Sequence, residues 1–187
     1  MAQIKLNATY GMSGTLPAVS GANLTTLNAS NISSGTLASA RFSGGKIGQV
    51  VHQQYSTDVV IGNTSFTTLT SGGNTLECTI TPSATNSKCL IMYTIQASMG
   101  SNEGYKTQIV RAISGGATTN IFTQPDQKDT YGDGDTHKQR SSVQYLDSPS
   151  TTSATTYTIQ VATDGGADVD FADGGSQCMI TVMEVLA

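Results

Sequence analysis

The chain has no tryptophan, only four prolines and two histidines in 187 residues, and charged side chains make up just 12% of it. That charged share is about half the ~25% usual in a soluble domain. With 9 Lys and Arg against 13 Asp and Glu, the net charge is -4. No basic face is expected, so neither nucleic acid nor an anionic membrane surface is an expected partner. No run approaches the ~20 apolar residues of a helical membrane span. The opening MAQIKLNATYGMSG lacks the apolar core of a signal peptide. The expectation is no membrane insertion and no secretory route, which leaves the Asn-x-Ser/Thr triplets at Asn7, Asn23, Asn28, Asn31 and Asn63 as by-products of composition.

The motifs of catalysis are missing too. No G-x-S-x-G, HExxH, CxxC or P-loop occurs. His52 alternates with Val50 and Gln54 on a strand-like run, where a packed or hydrogen-bonded imidazole is expected rather than a base. The expectation is a chain that is not an enzyme and needs no cofactor. Cys78, Cys89 and Cys178 are odd in number and sit in apolar runs. They read as buried free thiols, which suits assembly in a reducing cytoplasm.

What fills the gap is Thr, Ser, Asn, Gln and 20 Gly, beside 37% hydrophobic residues. No window sustains apolar spacing at 3.6 residues, and β-branched residues and Tyr recur in alternation, which predicts an all-β protein. The composition shifts near residue 45. Before it the only charges are Lys5 and Arg41, and the first acidic residue is Asp58. Residues 1–45 are Gly-, Ser-, Thr- and Asn-rich, punctuated by single apolar residues: Leu6, Leu16, Val19, Leu24, Leu27, Ile32, Leu37 and Phe42. A disordered leader and an extended arm whose apolar residues dock on a partner or symmetry axis both fit. The regular apolar punctuation favours the arm.

From residue 46 to 187 the pattern is short alternating strands between turn signals. Expected strands are Lys46–Tyr55, Phe66–Leu69, Leu76–Thr81, Lys88–Ser98, Lys106–Ile113, Asn120–Thr123, Ser142–Leu146, Thr156–Ala162 and Cys178–Leu186. Turns such as Ser71-Gly72-Gly73-Asn74 separate them, and the spacing predicts a β-sandwich or jelly roll. Two strands are apolar on both faces: Lys88–Ser98, with Leu90 and Met92 opposite Cys89, Ile91, Tyr93 and Ile95, and Cys178–Leu186. A two-layer sandwich covers one face of each, so the second cover is expected from a neighbouring protomer.

Residues 15–42, with Leu16-Pro-Ala-Val-Ser-Gly-Ala-Asn23 before LNASNISSGTL and then Ala40-Arg41, resemble linker and shaft segments of tailed-phage fibre proteins. The stretches Gly48–Val51, TSFTTL to CLI (Thr64–Ile91) and YLDSPSTTSATTYTIQV (Tyr145–Val161) are similar to C-terminal domains of such fibres, especially those of marine and cyanobacterial phages. The resemblance implies a homotrimer with a jelly-roll-like head, of tumour-necrosis-factor and complement C1q outline. It implies a virion protein, held to other virion proteins by residues 1–45 and touching a host surface glycan or protein. With one repeat-like segment, a stub is implied rather than a long shaft, which leaves tail appendage, capsid decoration or cement, and head fibre open. Some phage fibres cleave glycans with paired carboxylates, but usually on a larger β-helical domain.

Two charged segments stand out. Asp126–Arg140 reads as a long loop between strands, with Asp126, Lys128, Asp129, Tyr131, Asp133, Asp135, His137, Lys138 and Arg140 as candidate contact residues. Asp164–Gly175 holds Asp164, Asp168, Asp170 and Asp173. It reads as an acidic hairpin loop pinned by Val169 and Phe171. A calcium site on the four aspartates is the competing reading, weakened by the absence of the tandem copies that a calcium-binding roll needs.

Overall fold

The computed structural model describes residues 46–128 and 136–186, and Ser71 and Lys128 in backbone only. The expected arm, with Leu16, Val19, Leu24, Leu27, Ile32, Leu37 and Phe42, lies outside the described residues, as do contact candidates Asp129, Tyr131, Asp133 and Asp135.

Alternation becomes strand. In Thr155–Thr163 the residues Tyr157, Ile159 and Val161 are fully buried, while Thr156, Thr158 and Gln160 between them are not. In chain order the strands are β1 (Lys46–Tyr55), β2 (Val59–Ile61), β3 (Thr67–Thr68), β4 (Thr70–Ser71), β5 (Asn74–Thr75), β6 (Glu77–Ile80) and β7 (Lys88–Met99). They continue with β8 (Gly104–Ile113), β9 (Thr118–Lys128), β10 (His137–Asp147), β11 (Thr155–Thr163), β12 (Val169–Phe171) and β13 (Cys178–Leu186). β4 and β5 form a separate small hairpin.

The strands make two antiparallel sheets. In sheet I, β13 lies between β1 and β7, and β10 pairs the other side of β7; β12 continues the β13 side along β7 and carries β2. In sheet II, β11 pairs β3 and β6 on one side and β8 on the other, and β9 flanks β8. Counting β3 and β6 as one interrupted strand and leaving out the short β2 and β12, the main strands follow the orders 1-8-3-6 and 2-7-4-5. That is the eight-stranded jelly roll, two Greek keys folded face to face. β9 and β10 are the edges on one side of the sandwich. Pro125 sits in β9, where its missing N–H breaks no ladder on the free side.

The core between the sheets comprises Ile91, Tyr93 and Ile95 of β7, Ile180 and Val182 of β13, and Ile109, Tyr157 and Ile159 of sheet II, all at most 2% exposed. Buried hydroxyls need partners, and three tyrosines find theirs on the opposite sheet. Tyr93 bonds Thr107, Tyr105 donates to Ser141 at 2.8 Å, and Tyr157 donates to Asp147 at 2.7 Å. Tyr105 also meets Phe171 of β12 edge-on, at 5.5 Å between ring centres. Each ring fills the core while its tip rivets the two layers. The three cysteines are buried and unpaired, and burial pushes the Cys78 thiol up to about 11.

Two expected loops are partly strand. β9 runs five residues beyond the expected Thr123, and β10 begins at His137 instead of Ser142. Asp126 and Lys128 therefore sit in β9, and His137, Lys138 and Arg140 sit in β10, not in an open loop. β10 keeps unbroken register with β7 over its whole length. Pairing with a buried central strand decides the matter where polar composition suggested a loop. Likewise Val169–Phe171, expected in a hairpin loop, forms β12 between β2 and β7, with Val169 and Phe171 fully buried.

Candidate functional site

The outward faces of the two sheets differ in chemistry. On sheet I the register aligns Val50, Met183, Leu90 and Leu146 in one row across four strands. Val50 is 57% and Leu146 49% exposed, and Leu90 and Met183 are half-buried. The next row is His52, Thr181, Met92 and Gln144, and the third is Gln54, Met179, Thr94 and Ser142. His52 Nδ1 lies 2.9 Å from Thr181 Oγ1, the hydrogen-bonded imidazole that its strand position suggests. No Lys, Arg, Asp or Glu occupies these three rows. A shallow cleft of about 280 Å³ lies among Met92, Thr94, Ser142, Gln144, Met179 and Thr181. Among the described residues, the strands expected to be apolar on both sides are therefore covered on the core side and open on the other.

Sheet II presents amides and hydroxyls. Asn120 Nδ2 donates to Gln108 Oε1 at 2.9 Å, Gln108 Nε2 to Gln160 Oε1 at 2.5 Å, and Gln160 Nε2 to Thr68 Oγ1 at 3.2 Å. This ladder crosses β9, β8, β11 and β3. Beside it Thr158 donates to Glu77 at 3.0 Å, and Thr79 bonds Thr156 at 2.7 Å.

The two charged segments meet at one corner of sheet I. Lys138 of β10 bridges Asp173 at 2.8 Å, and Ser98 of β7, opposite Lys138 and Asp170, also bonds Asp173. Asp58, Asp170 and Asp173 place carboxylate oxygens within 4.8 Å of one another. Burial, the hydrogen bond with Asp58 and the charges of Asp58 and Asp173 push the Asp170 carboxyl up to about 6, against the opposing pull of Lys138. The Lys138 ammonium, by hydrogen bond and charge, holds Asp173 below the usual carboxylate range.

The four aspartates weighed as one calcium set are divided. Asp170 and Asp173 join Asp58, whereas Asp164 lies 3.9 Å from Lys106 and Asp168 lies against Gly62. Among the contact candidates, Asp126 bridges Lys106 at 3.3 Å, and Arg140 stands opposite Gln96 in the register. Sequence reasoning passed over Asp58, because only the pairing of β2 with β12 brings it to Asp170.

Two other polar clusters serve the fold. Asp147, 6% exposed, receives Arg111 at 2.8 and 3.0 Å together with the Tyr157 hydroxyl. Glu184, fully buried, receives Ser83 and Gln49.

The architecture defines an all-β jelly-roll sandwich. No protein-family model matches the chain, and no curated protein does. Among solved structures, the VP2 protein of infectious bursal disease virus in a subviral particle is 12% identical over 73% of this chain and 39% of its own, with a TM-score of 0.39. A structure of the Gx strain of the same virus is 15% identical over 76% of this chain and 41% of its own, with a TM-score of 0.36. The chain spans about two fifths of the length of either. At these TM-scores the likeness adds nothing to the fold described above.

Proposed function

We propose that the chain is a non-enzymatic structural protein of a virus particle, a short homotrimeric appendage of a tailed phage whose jelly-roll head contacts the host surface. One observation carries the assembly part: the charge-free row Val50, Met183, Leu90 and Leu146 on the open face of sheet I. A solvent-facing sheet surface normally alternates to polar residues; here aliphatic and Met side chains stand where water would be. A second copy of the chain is the fitting occupant, since these three charge-free rows offer no complementarity to a charged partner. The fibre-like residues 15–42 and the fibre-like stretches of the head supply the phage context. The amide and hydroxyl face of sheet II suits the outward side.

Capsid decoration or a head fibre is the second reading, favoured by the single repeat-like segment between residues 15 and 42. Immunogold labelling of purified particles with antibody against the chain tests both. Label at the tail in a few dozen copies or fewer supports the appendage, and hundreds of copies over the shell support decoration. Unlabelled particles overturn the virion reading.

A further inference from the structure

A polar cleft of about 300 Å³ lies where the open edges of the two sheets approach, lined by Gln53, Gly73, Asn74, Thr75, Glu77 and Thr79. Gln53 comes from β1 of sheet I, and Glu77 and Thr79 come from the outward face of β6 in sheet II. The β4–β5 hairpin supplies Asn74 and Thr75. Its turn residues Gly72 and Gly73 take φ of +60 and +83 with no atom within 4 Å of a would-be Cβ, so the rim is bare backbone.

We propose that this cleft is a binding site for a neutral, hydroxyl-rich ligand, a glycan. The proposal rests on the reading of the head as a host-contacting domain and gives that contact a place and a chemistry. Among the described residues the lining decides the class by exclusion. It has no Lys or Arg, so phosphates, sulfates and acidic sugars find no counter-charge. It has no aromatic or large aliphatic residue, so it suits neither a lipid chain nor an apolar peptide anchor. It has one carboxylate and no aromatic face, which is a poor box for a cationic ammonium. What remains is an array of hydrogen-bonding groups that matches vicinal sugar hydroxyls. The Glu77 carboxylate accepts, Gln53 and Asn74 both donate and accept, and Thr75 and Thr79 add hydroxyls.

Part of that capacity is unspent. Glu77 Oε2 takes the Thr158 hydroxyl at 3.0 Å, while among the described residues Oε1 has no hydrogen-bond partner. Among the described residues, Gln53 Nε2 reaches only the carbonyl of Gln54, at 3.5 Å. A site so open binds one sugar weakly. Three copies on one head raise the effective affinity by linkage rather than by new contacts.

The test uses the full chain and saturation-transfer NMR with maltotriose, cellotriose, mannotriose and chitotriose at millimolar concentration. Sialyllactose serves as the anionic comparison. The variant is Asn74→Ala combined with Glu77→Gln, with fold checked by circular dichroism and mass by light scattering. The expected result is transfer to at least one neutral oligosaccharide, none to sialyllactose, and at least a tenfold weaker response in the variant. Transfer to none of the four, equal binding by the variant, or equal binding of sialyllactose overturns the proposal. The scattering data separate the two readings. Sugar binding by a monomer leaves the cleft standing and removes the assembly, whereas a trimer without sugar binding removes the cleft alone.

Discussion

Glu184 Oε1 accepts both the backbone N–H and the hydroxyl of Ser83, at 2.6 and 2.7 Å, across 101 residues of sequence. Its other oxygen accepts Gln49 Nε2 at 2.8 Å, and the same amide reaches the Thr81 carbonyl at 2.7 Å. One buried carboxylate thus ties β13, the bulge of β1 and the turn between β6 and β7. Burial alone would raise its pKa; the bonds from Ser83 and Gln49 outweigh burial and hold it below the usual range. Gly48 lies against it, where an added Cβ would stand 2.9 Å from Glu184 Oε2. Replacing Glu184 with Ala strands the Ser83 and Gln49 donors and should destabilise the chain by about 2–3 kcal/mol, read by urea unfolding. A loss below roughly 0.5 kcal/mol, the range of an ordinary surface change, would show that the clamp contributes little.

The tyrosine rivets make a graded prediction. Tyr157 donates to a charged partner, Asp147, and Tyr105 to a neutral one, Ser141. Tyr157→Phe should cost about 1.5–3 kcal/mol and Tyr105→Phe about 1 kcal/mol. Equal losses in chemical denaturation would mean that the Asp147 charge adds nothing.

The acidic corner predicts a pH dependence. Asp170 is raised from 3.8 to about 6, so between those values the folded chain holds a proton that the unfolded chain has released. Its contribution to stability is fully present below about pH 4 and is lost as pH rises to about 6. Asp173 and Glu184 are lowered, and their contributions are lost in the opposite direction, as pH falls through their folded values. The melting temperature should therefore decline from pH 5 to pH 7. Asp170→Asn, whose amide donates to Asp58 at every pH, should remove that decline and raise the melting temperature at pH 7. An unchanged slope in the variant would rule out the Asp58–Asp170 pair as its source.

Much of the sandwich was legible because alternation over a buried face is a strong local signal. Lys46–Tyr55 and Cys178–Leu186 have the expected bounds. The doubly apolar character of Lys88–Ser98 marked the sheet face that the structure leaves open. The failures share a cause. Val59–Ile61 and Val169–Phe171 are too short to show a period, and the long pairing of β7 with polar β10 is a tertiary choice that local composition opposes. The acidic corner was half-legible: Asp170 and Asp173 stood out, but Asp58 and Lys138 join them only through sheet pairing. The cleft at Glu77 left no mark, since Gln53, Asn74 and Glu77 are ordinary strand and turn residues until two sheet edges meet.

The most direct measurement is the solution mass of the full chain beside Leu90→Glu and Met183→Glu, by light scattering at micromolar concentration with circular dichroism as the check on folding. Both residues are half-buried on the open face, so a carboxylate there stays solvated in a monomer but is stranded in a packed interface. The native chain should run at three times 19.4 kDa and both folded variants at 19.4 kDa. A native chain that runs as a 19.4 kDa monomer, or variants that remain trimers, would contradict it.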